Sequence, residues 1–468
     1  MLVVPFWEGV LDSSIASLHL ILRSGDFKGK SGDTLFAYVD GGKEARILLL
    51  GLGKEDQATE ESLRKAYAHA VRSMQSVKAK TANLLFPKCT RLAHEEVLTG
   101  SFEGVLLSNY AFNHLKGDTL KDSPPLLEKI SWIGLDAKDQ SALSHIETIV
   151  EGVNFARELV NGNADDVTPL KLAETARLLE KSSPHIKASV YDKKWLETHK
   201  MGLILAVNRA SKVDPFLIEV AYKGNPSSKE HIVLVGKGVT YDTGGLSLKT
   251  TEGMLAMKCD MAGAAAVLAT LRTIAILNLK VNVTVVVPAV ENAIDSRSYK
   301  LGDVYHSYSG KTVEINNTDA EGRLILADAL AYVVKNLHPS YVIDLATLTG
   351  NVVAALGEQM AGFCANDDAL ANALMEAATK TSDLLWRLPL FNEYKEAFKS
   401  DIADLVNSGG RDAGSIKGAL FLQEFIGSAK WAHIDIAGAA FWSKPKHYNP
   451  TKATGYGVRL LVEFLKKR

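Results

Sequence analysis

Cysteine is scarce: the 468 residues hold three, Cys89, Cys259 and Cys364. They are odd in number and far apart. That excludes a disulfide framework and a cysteine-ligated zinc site, and it fits a reducing cytosol. An excess of one charge is also lacking. Lys and Arg number 53 against 54 Asp and Glu, for a net charge of −1. Residues 1–140 alone carry 17 Lys/Arg and 18 Asp/Glu, so no basic domain is concealed there. Nucleic acid is therefore not an expected partner. No run reaches the roughly 18 uncharged apolar residues of a membrane span, so no membrane partner is expected either. The opening MLVVPFWEGV meets Glu8 too early, and starts without the basic residues, to be a secretory signal. It reads as a first β-strand.

Apolar residues make up 47% and charged residues 23%, the balance of a soluble globular protein. The length exceeds what one ordinary core serves, so two domains are expected. Residues 1–140 alternate short strands (Ala45–Gly51, Ala82–Phe86, Ile130–Leu135) with a helix over Thr59–Val77. Pro124-Pro125 marks a loop, and Gly51-Leu52-Gly53 lacks the third glycine of a dinucleotide fingerprint and reads as a turn. Lys138–Asn161 has helical periodicity, and its stretch 141–161 is taken as a connector. Thr168-Pro169 opens another helix.

Residues 162–468 form the second domain and read as α/β. Continuous apolar runs at Gly202–Val207, Leu217–Ala221, Ile232–Val235, Val281–Val287, Tyr341–Leu345 and His433–Ile436 suit strands buried on both faces. Helices such as Ala262–Leu277 and Leu324–Asn336 lie between them. In an open α/β sheet the chemistry gathers beyond the carboxyl ends of the strands. The segments found there are GKGVTYDTGG after Val235, PAVENA after Val287 and ATLTGN after Leu345.

Three segments concentrate charge. GKGVTYDTGGLSLK (236–249) is not a phosphate loop, because His231 and Gly238 stand where the P-loop requires glycine and Ser/Thr. It reads equally as a glycine-rich turn with an ion pair. Asp260, ahead of an Ala-rich helix, could serve simply as an N-cap. NTDAEGRL (317–324) places two acids, an asparagine and an arginine just before an apolar helix. Together the segments bring Asp242, Asp260, Asp319 and Glu321 toward one sheet edge. Four carboxylates there cannot all stay ionised without cations. Two divalent ions fit an oxygen-rich cage and suit hydrolysis by a bridging hydroxide. Other hydrolase signatures are absent: there is no G-x-S-x-G, and His94-Glu95 does not continue as H-E-x-x-H. Peptidase and phosphatase both remain open at this point.

At NTDAEGRL the chain closely resembles the leucyl aminopeptidase family, the cytosol aminopeptidases of the M17 type. GKGVTYDTGGLSLK, MKCDMAGAAAV, DLATLTG, SDIADLVNSGGR, WAHIDIAG and GYGVRLL follow in the family's order. The resemblance is strong over about 160–468. It is weaker over 1–140, where GKSGDTL and ARILLLGLGKED carry it. It implies a smaller N-terminal α/β domain, macro-like and concerned with assembly, and a larger catalytic α/β domain with a mixed sheet flanked by helices.

The resemblance also implies a cytoplasmic homohexamer. It would release leucine and other apolar residues from the N-termini of peptides, using two Mn2+ or Zn2+ ions per subunit. Lys237, Asp242, Asp260 and Glu321 would hold the tighter metal; Asp242, Asp319 and Glu321 would hold the exchangeable one. Lys249 and Arg323 would be the catalytic pair, with a bicarbonate near Arg323. Met257, Thr347, Gly350, Ala437 and Ala440 would form the side-chain pocket, Leu348 would offer backbone contacts, and Asn317 would bond near the metals. Ala440 stands where some relatives carry a larger residue and implies a roomier pocket. Tyr241 replaces a common phenylalanine and needs a partner for its hydroxyl. Some bacterial relatives bind DNA, which the balanced charge of residues 1–140 argues against.

Overall fold

The computed structural model describes residues 1–10, 18, 22, 25–39, 44 and 46–468. The chain divides into two compact units, Met1–Glu151 with Lys444–Thr451, and Gly152–Ser443 with Lys452–Arg468. The division falls inside the helix Gln140–Asn161, which a 3-10 turn at Ala137–Asp139 precedes.

In the first unit, strands β1 (Leu2–Phe6), β2 (Thr34–Tyr38), β3 (Arg46–Gly51), β4 (Thr81–Leu85) and β5 (Lys129–Ile133) form one sheet in the order β2-β3-β1-β4-β5. All pairs are parallel except β2 with β3. The opening residues are thus a strand, as their composition predicts. Residue 45, the expected start of β3, lies outside the described residues. The helix Glu60–Ser76 begins at Thr59, whose hydroxyl accepts from the Ser62 amide while Ser62 Oγ accepts from the Thr59 amide. This reciprocal cap is worth about 1 kcal/mol. Leu63, Ala66, Tyr67, Ala70, Val71 and Met74 then recur at helical spacing and pack with Val3, Leu48 and Leu50.

The second unit is built on a mixed sheet. Its strands are β6 (Ile186–Tyr191), β7 (Phe216–Lys223), β8 (Ile232–Gly236), β9 (Gly238–Asp242), β10 (Asn282–Asn292), β13 (Tyr341–Ala346), β14 (Ala361–Ala365), β15 (Leu385–Arg387) and β17 (Trp431–Asp435). The order is β15-β14-β17-β13-β8-β10-β7-β6, with β9 beside β10. The central strands β10, β8, β13 and β17 run parallel, so their carboxyl ends share one edge. A small sheet joins β11 (Val304–His306), β12 (Thr312–Glu314) and β16 (Leu405–Val406). Alternation along the central strands sends Val233, Val235 and Val342 into a cluster with the helices Gly202–Asn208, Glu321–Leu337 and Gly414–Gln423. The helix Ala262–Ile276 packs on β8, β10 and β13. The helical run Thr251–Ile276 is long and apolar enough to cross a membrane by composition, although Asp260 and Arg272 interrupt it. Of its most apolar window, 89% is buried inside the protein, which makes it a core helix.

Two expectations are corrected. Gly202–Val207 is not a strand but most of the helix Gly202–Asn208. Its residues are buried nearly all round, so hydropathy carries no period to tell helix from strand. The deciding contact is remote in sequence. Asp328, fully buried, accepts the amides of Leu203 (3.0 Å) and Ile204 (3.1 Å) at the helix start, and that of Tyr308 (2.7 Å). The second correction concerns the helix expected over Leu324–Asn336, which spans Glu321–Leu337. Glu321 and Arg323 therefore sit in its first turn rather than ahead of it.

Asp328→Ala would leave three buried amides without an acceptor. The expected loss is roughly 2–4 kcal/mol of unfolding free energy, read as a lower urea midpoint at unchanged m-value.

Candidate active site

The charged segments meet at the carboxyl edge of the central strands. Lys237 follows directly on β8, and its backbone is tied on both sides: its amide donates to Leu345 O (3.0 Å), and its carbonyl accepts from the Ala264 amide (3.0 Å). Glycine makes this approach possible. A Cβ on Gly236 would lie 2.6 Å from Ala264 Cα, and one on Gly263 would lie 2.1 Å from Leu345 O. The start of the helix Ala262–Ile276 therefore rests backbone to backbone on the strand ends and delivers Asp260 beside Lys237.

The Lys237 ammonium is 2% exposed and spends all three N–H groups, on Asp260 Oδ1 (2.7 Å), Glu321 Oε1 (2.8 Å) and Thr347 O (2.8 Å). Burial disfavours its charge, but Asp260, Glu321 and Asp242 outweigh burial and raise its pKa. Lys249 Nζ bridges Asp242 Oδ2 (2.8 Å) and Asp319 Oδ1. Its pKa is also raised: burial pulls it down, and the carboxylates, led by Asp242, prevail.

The carboxylates are crowded. Burial, then Glu321, pushes Asp242 up to about 6; burial also raises Asp260 well above its ordinary value and raises Asp319. Glu321 moves the other way. Burial opposes its charge, but Lys237 and Lys249 more than compensate. Asp242 Oδ1 is held by the Gly244 amide and by Asn292 Nδ2, each at 2.8 Å. Thr318 stitches the two loops together, donating to Gly244 O (2.6 Å) and accepting from the Ser247 amide (2.7 Å).

These residues fit divalent cations on an observation independent of motif. Oxygens of Asp242, Asp319 and Glu321 lie within 4.8 Å of one another. Asp260 Oδ2 and Glu321 Oε2 are buried and, among the described residues, accept no hydrogen bond. A buried carboxylate oxygen without a donor is costly, and a cation in the same cage removes the cost. Both lysines already occupy the cage as cations. A metal bound by Lys237 would take the place of one of its protons.

One cavity of about 770 Å³ is lined by Lys237, Asp242, Lys249, Asp260, Asp319, Glu321 and Arg323, and by Met257, Asn317, Thr347, Leu348, Gly350 and Ala437. Of the residues expected at the site, Ala440 alone lies outside this lining; it is buried, with its carbonyl accepting from Thr454 Oγ1. The Tyr241 hydroxyl reaches Met254 O at 3.5 Å. Arg323 donates through one terminal nitrogen to Asn407 O (3.0 Å), while its Nε is buried without a partner. Burial lowers its pKa to about 10, against the pull of Glu321 and Asp435.

Three residues of the site were not singled out from sequence. Asn292 is fully buried and donates to Asp242 Oδ1 and Thr318 O. It lies in the PAVENA segment after β10, whose position was a signal. Asp435 accepts from the amides of Leu348 (3.1 Å) and Ala437 (3.3 Å) and from Thr349 Oγ1 (2.6 Å), fixing the loop after β13. Asn407 holds the loop that carries Asp319.

Gly322 offers a test of the cage. A Cβ there would lie 2.4 Å from Lys237 Cε and 2.7 Å from its Nζ. Gly322→Ala is expected to displace the lysine head and, by breaking its buried ion pairs with Asp260 and Glu321, to lower the thermal midpoint as well. The check is Mn2+ affinity by calorimetry, with an expected loss of roughly tenfold or more.

Comparison with known proteins identifies the family. Residues 154–462 match the catalytic-domain model of the cytosol aminopeptidase family, and residues 8–119 match the N-terminal-domain model of the same family. A probable cytosol aminopeptidase of Protochlamydia amoebophila is 48% identical, over 100% of this chain and 96% of its own. One from Chlamydia abortus is 45% identical with the same coverage. Among solved structures, the bottromycin maturation enzyme BotP in complex with Mn superposes with a TM-score of 0.90 at 31% identity, over 100% of this chain and 98% of that one. The cytosol aminopeptidase of Coxiella burnetii gives a TM-score of 0.87 at 33% identity, over 100% and 97%. The chain belongs to the cytosol aminopeptidase (M17) family and is a metal-dependent aminopeptidase, a hydrolase of N-terminal peptide bonds.

Proposed function

We propose that this aminopeptidase works with two divalent cations, Mn2+ or Zn2+, and prefers leucine and other apolar residues at the peptide N-terminus. The observation that carries the two-cation reading is the pair of buried, unpartnered oxygens, Asp260 Oδ2 and Glu321 Oε2, beside three carboxylates within 4.8 Å. Lys237, Asp242, Asp260 and Glu321 would hold one ion, and Asp242, Asp319 and Glu321 the other. Bound there, the ions would supply Lewis acidity, a nucleophilic water at neutral pH and an anchor for the free α-amine.

The chain's own residues do the rest. Lys249 stays protonated at the cavity wall, where its N–H groups would reach the scissile carbonyl oxygen. There they stabilise the oxyanion formed as water adds to the carbon. The C–N bond then breaks, and the leaving amine takes the proton that the attacking water gave up. Arg323 presents a buried, partly unsatisfied guanidinium to the cavity, which suits a planar anion of bicarbonate size in the role of proton acceptor. Met257, Thr347, Gly350 and Ala437 bring small or apolar surface for the side chain, Leu348 brings backbone groups, and Asn317 brings an amide near the cage. Ala440, outside the lining, would affect pocket width only through its neighbours. Work on peptides in the cytoplasm, as a homohexamer to which residues 1–140 contribute, completes the reading.

With Mn2+ added, the protein is expected to release nitroaniline from leucyl-p-nitroanilide and to leave the N-acetylated compound intact. Asp319→Ala should lower kcat/KM by at least about 10²-fold. Exhaustive chelation should abolish turnover, and restored Mn2+ should return it. Equal cleavage of the blocked and free substrates would overturn the exopeptidase reading.

A further inference from the structure

Asp319 is poorly secured by its own surroundings. It sits on a loop, 36% of its side chain is exposed, and its hydrogen-bonded partners are Lys249 and, through its amide, Asn317 Oδ1. The loop from Ile315 to Ala320 bridges β12 and the helix Glu321–Leu337. β12 and β16 pair over only two residues each, Val313 with Leu405 and Glu314 with Val406. Where that ladder stops, Asn407 begins.

Every polar group of Asn407 turns to this one segment. Its amide donates to Glu314 O (2.9 Å). Its Oδ1 accepts from the amides of Asn316 (2.9 Å) and Asn317 (3.2 Å). Its Nδ2 donates to Asn317 O (2.7 Å) and toward Ala320 O (3.5 Å). Its own carbonyl accepts from Arg323 (3.0 Å). The residue is fully buried, so water cannot replace these bonds, and the network is stiff only while every member is satisfied. The side chain acts as the next rung of the β12–β16 ladder. It carries the register of a strand into a loop that has no ladder of its own.

We propose that Asn407 is a positioning residue for hydrolysis: it locks the Asp319 loop and the Arg323 guanidinium into one rigid unit, fixing their separation across the cage. This rests on the catalytic reading given above. A displacement of about 1 Å in such groups costs roughly 10²-fold in rate. The side-chain pocket, which draws on the opposite loops around Met257 and Thr347, would be largely spared.

The test compares two asparagines that clamp backbone in the same way. Asn366 accepts from the Trp431 amide and donates to Ala429 O, away from the cavity. Asn407→Ala and Asn366→Ala are each assayed on the full-length protein for thermal midpoint, kcat and KM on leucyl-p-nitroanilide, and Mn2+ affinity by calorimetry. Both are expected to lower the midpoint. Asn407→Ala alone should lower kcat by roughly 10²-fold at saturating Mn2+, with KM within about threefold and Mn2+ affinity about tenfold weaker. If that protein does not fold, Asn407→Asp, which keeps the shape and the acceptor oxygen but loses the donor, should show the same split. A kcat within twofold of wild type, or a loss matched by Asn366→Ala, would overturn the proposal. Should wild type itself fail to cleave the leucyl substrate, the substrate reading fails. The calorimetry still decides about Asn407: weaker Mn2+ binding in the variant supports its role, and equal binding refutes it.

Discussion

Three of the four carboxylates at the cage lie where water barely reaches, with Asp319 at its exposed rim, and the architecture around them is arranged to make that tolerable. Asp242, Asp260 and Glu321 are each under 5% exposed. Their repulsion, added to desolvation, would drive protons on or loops apart unless positive charge were built in beside them. Lys237 and Lys249 supply it, each bridging two acids. Arg323 stands two residues beyond Glu321 in the same helical turn. The cage is thus close to charge balance before any ion enters, and an entering cation competes with ammonium groups rather than filling a void. A metal that Lys237 ligated would replace its proton, not its side chain.

This arrangement dictates the backbone around it. Lys237 can cross the first turn of the helix Glu321–Leu337 only because position 322 has no Cβ, and the helix Ala262–Ile276 can reach the strand ends only because positions 236 and 263 have none. The glycines thus govern how near the charges come, and the buried amides and carboxylates that link the loops, Asn292, Asn407 and Asp435, govern how still they are held. None of these last three is among the metal-site or catalytic residues that the family resemblance implies. They convert neighbouring loops into extensions of the sheet, replacing missing ladder rungs with side-chain amides and carboxylates.

Much of this was legible in the sequence. The apolar β-branched runs gave β7, β8, β10, β13 and β17 to within a few residues, because strands buried on both faces read as continuous hydrophobic runs. The four acids gave a metal-dependent hydrolase site, because carboxylates gathered at one sheet edge cannot all stay ionised without cations. Gly202–Val207 was not legible. A run buried on every side has no period, and the Asp328 carboxylate that starts its helix comes from over a hundred residues away.

Read alone, the sequence determined which donors and acceptors exist, their order, and that Asn317-Thr318-Asp319-Ala320-Glu321-Gly322-Arg323 concentrates charge unusually just ahead of an apolar helix. Resemblance to a known family added the peptide bond and the lysine ligand. Only the tertiary structure decided which oxygens remain unpartnered, that Ala440 stands apart from the cavity, and that Asn407 spans both halves of the motif. The reason is distance along the chain. Propensity and periodicity act over a few residues, whereas Lys237 meets the Thr347 carbonyl 110 residues on and Asn407 meets Asn317 from 90 residues away. Contacts of that span are set by how the sheet brings its strand ends together, and no local pattern records them.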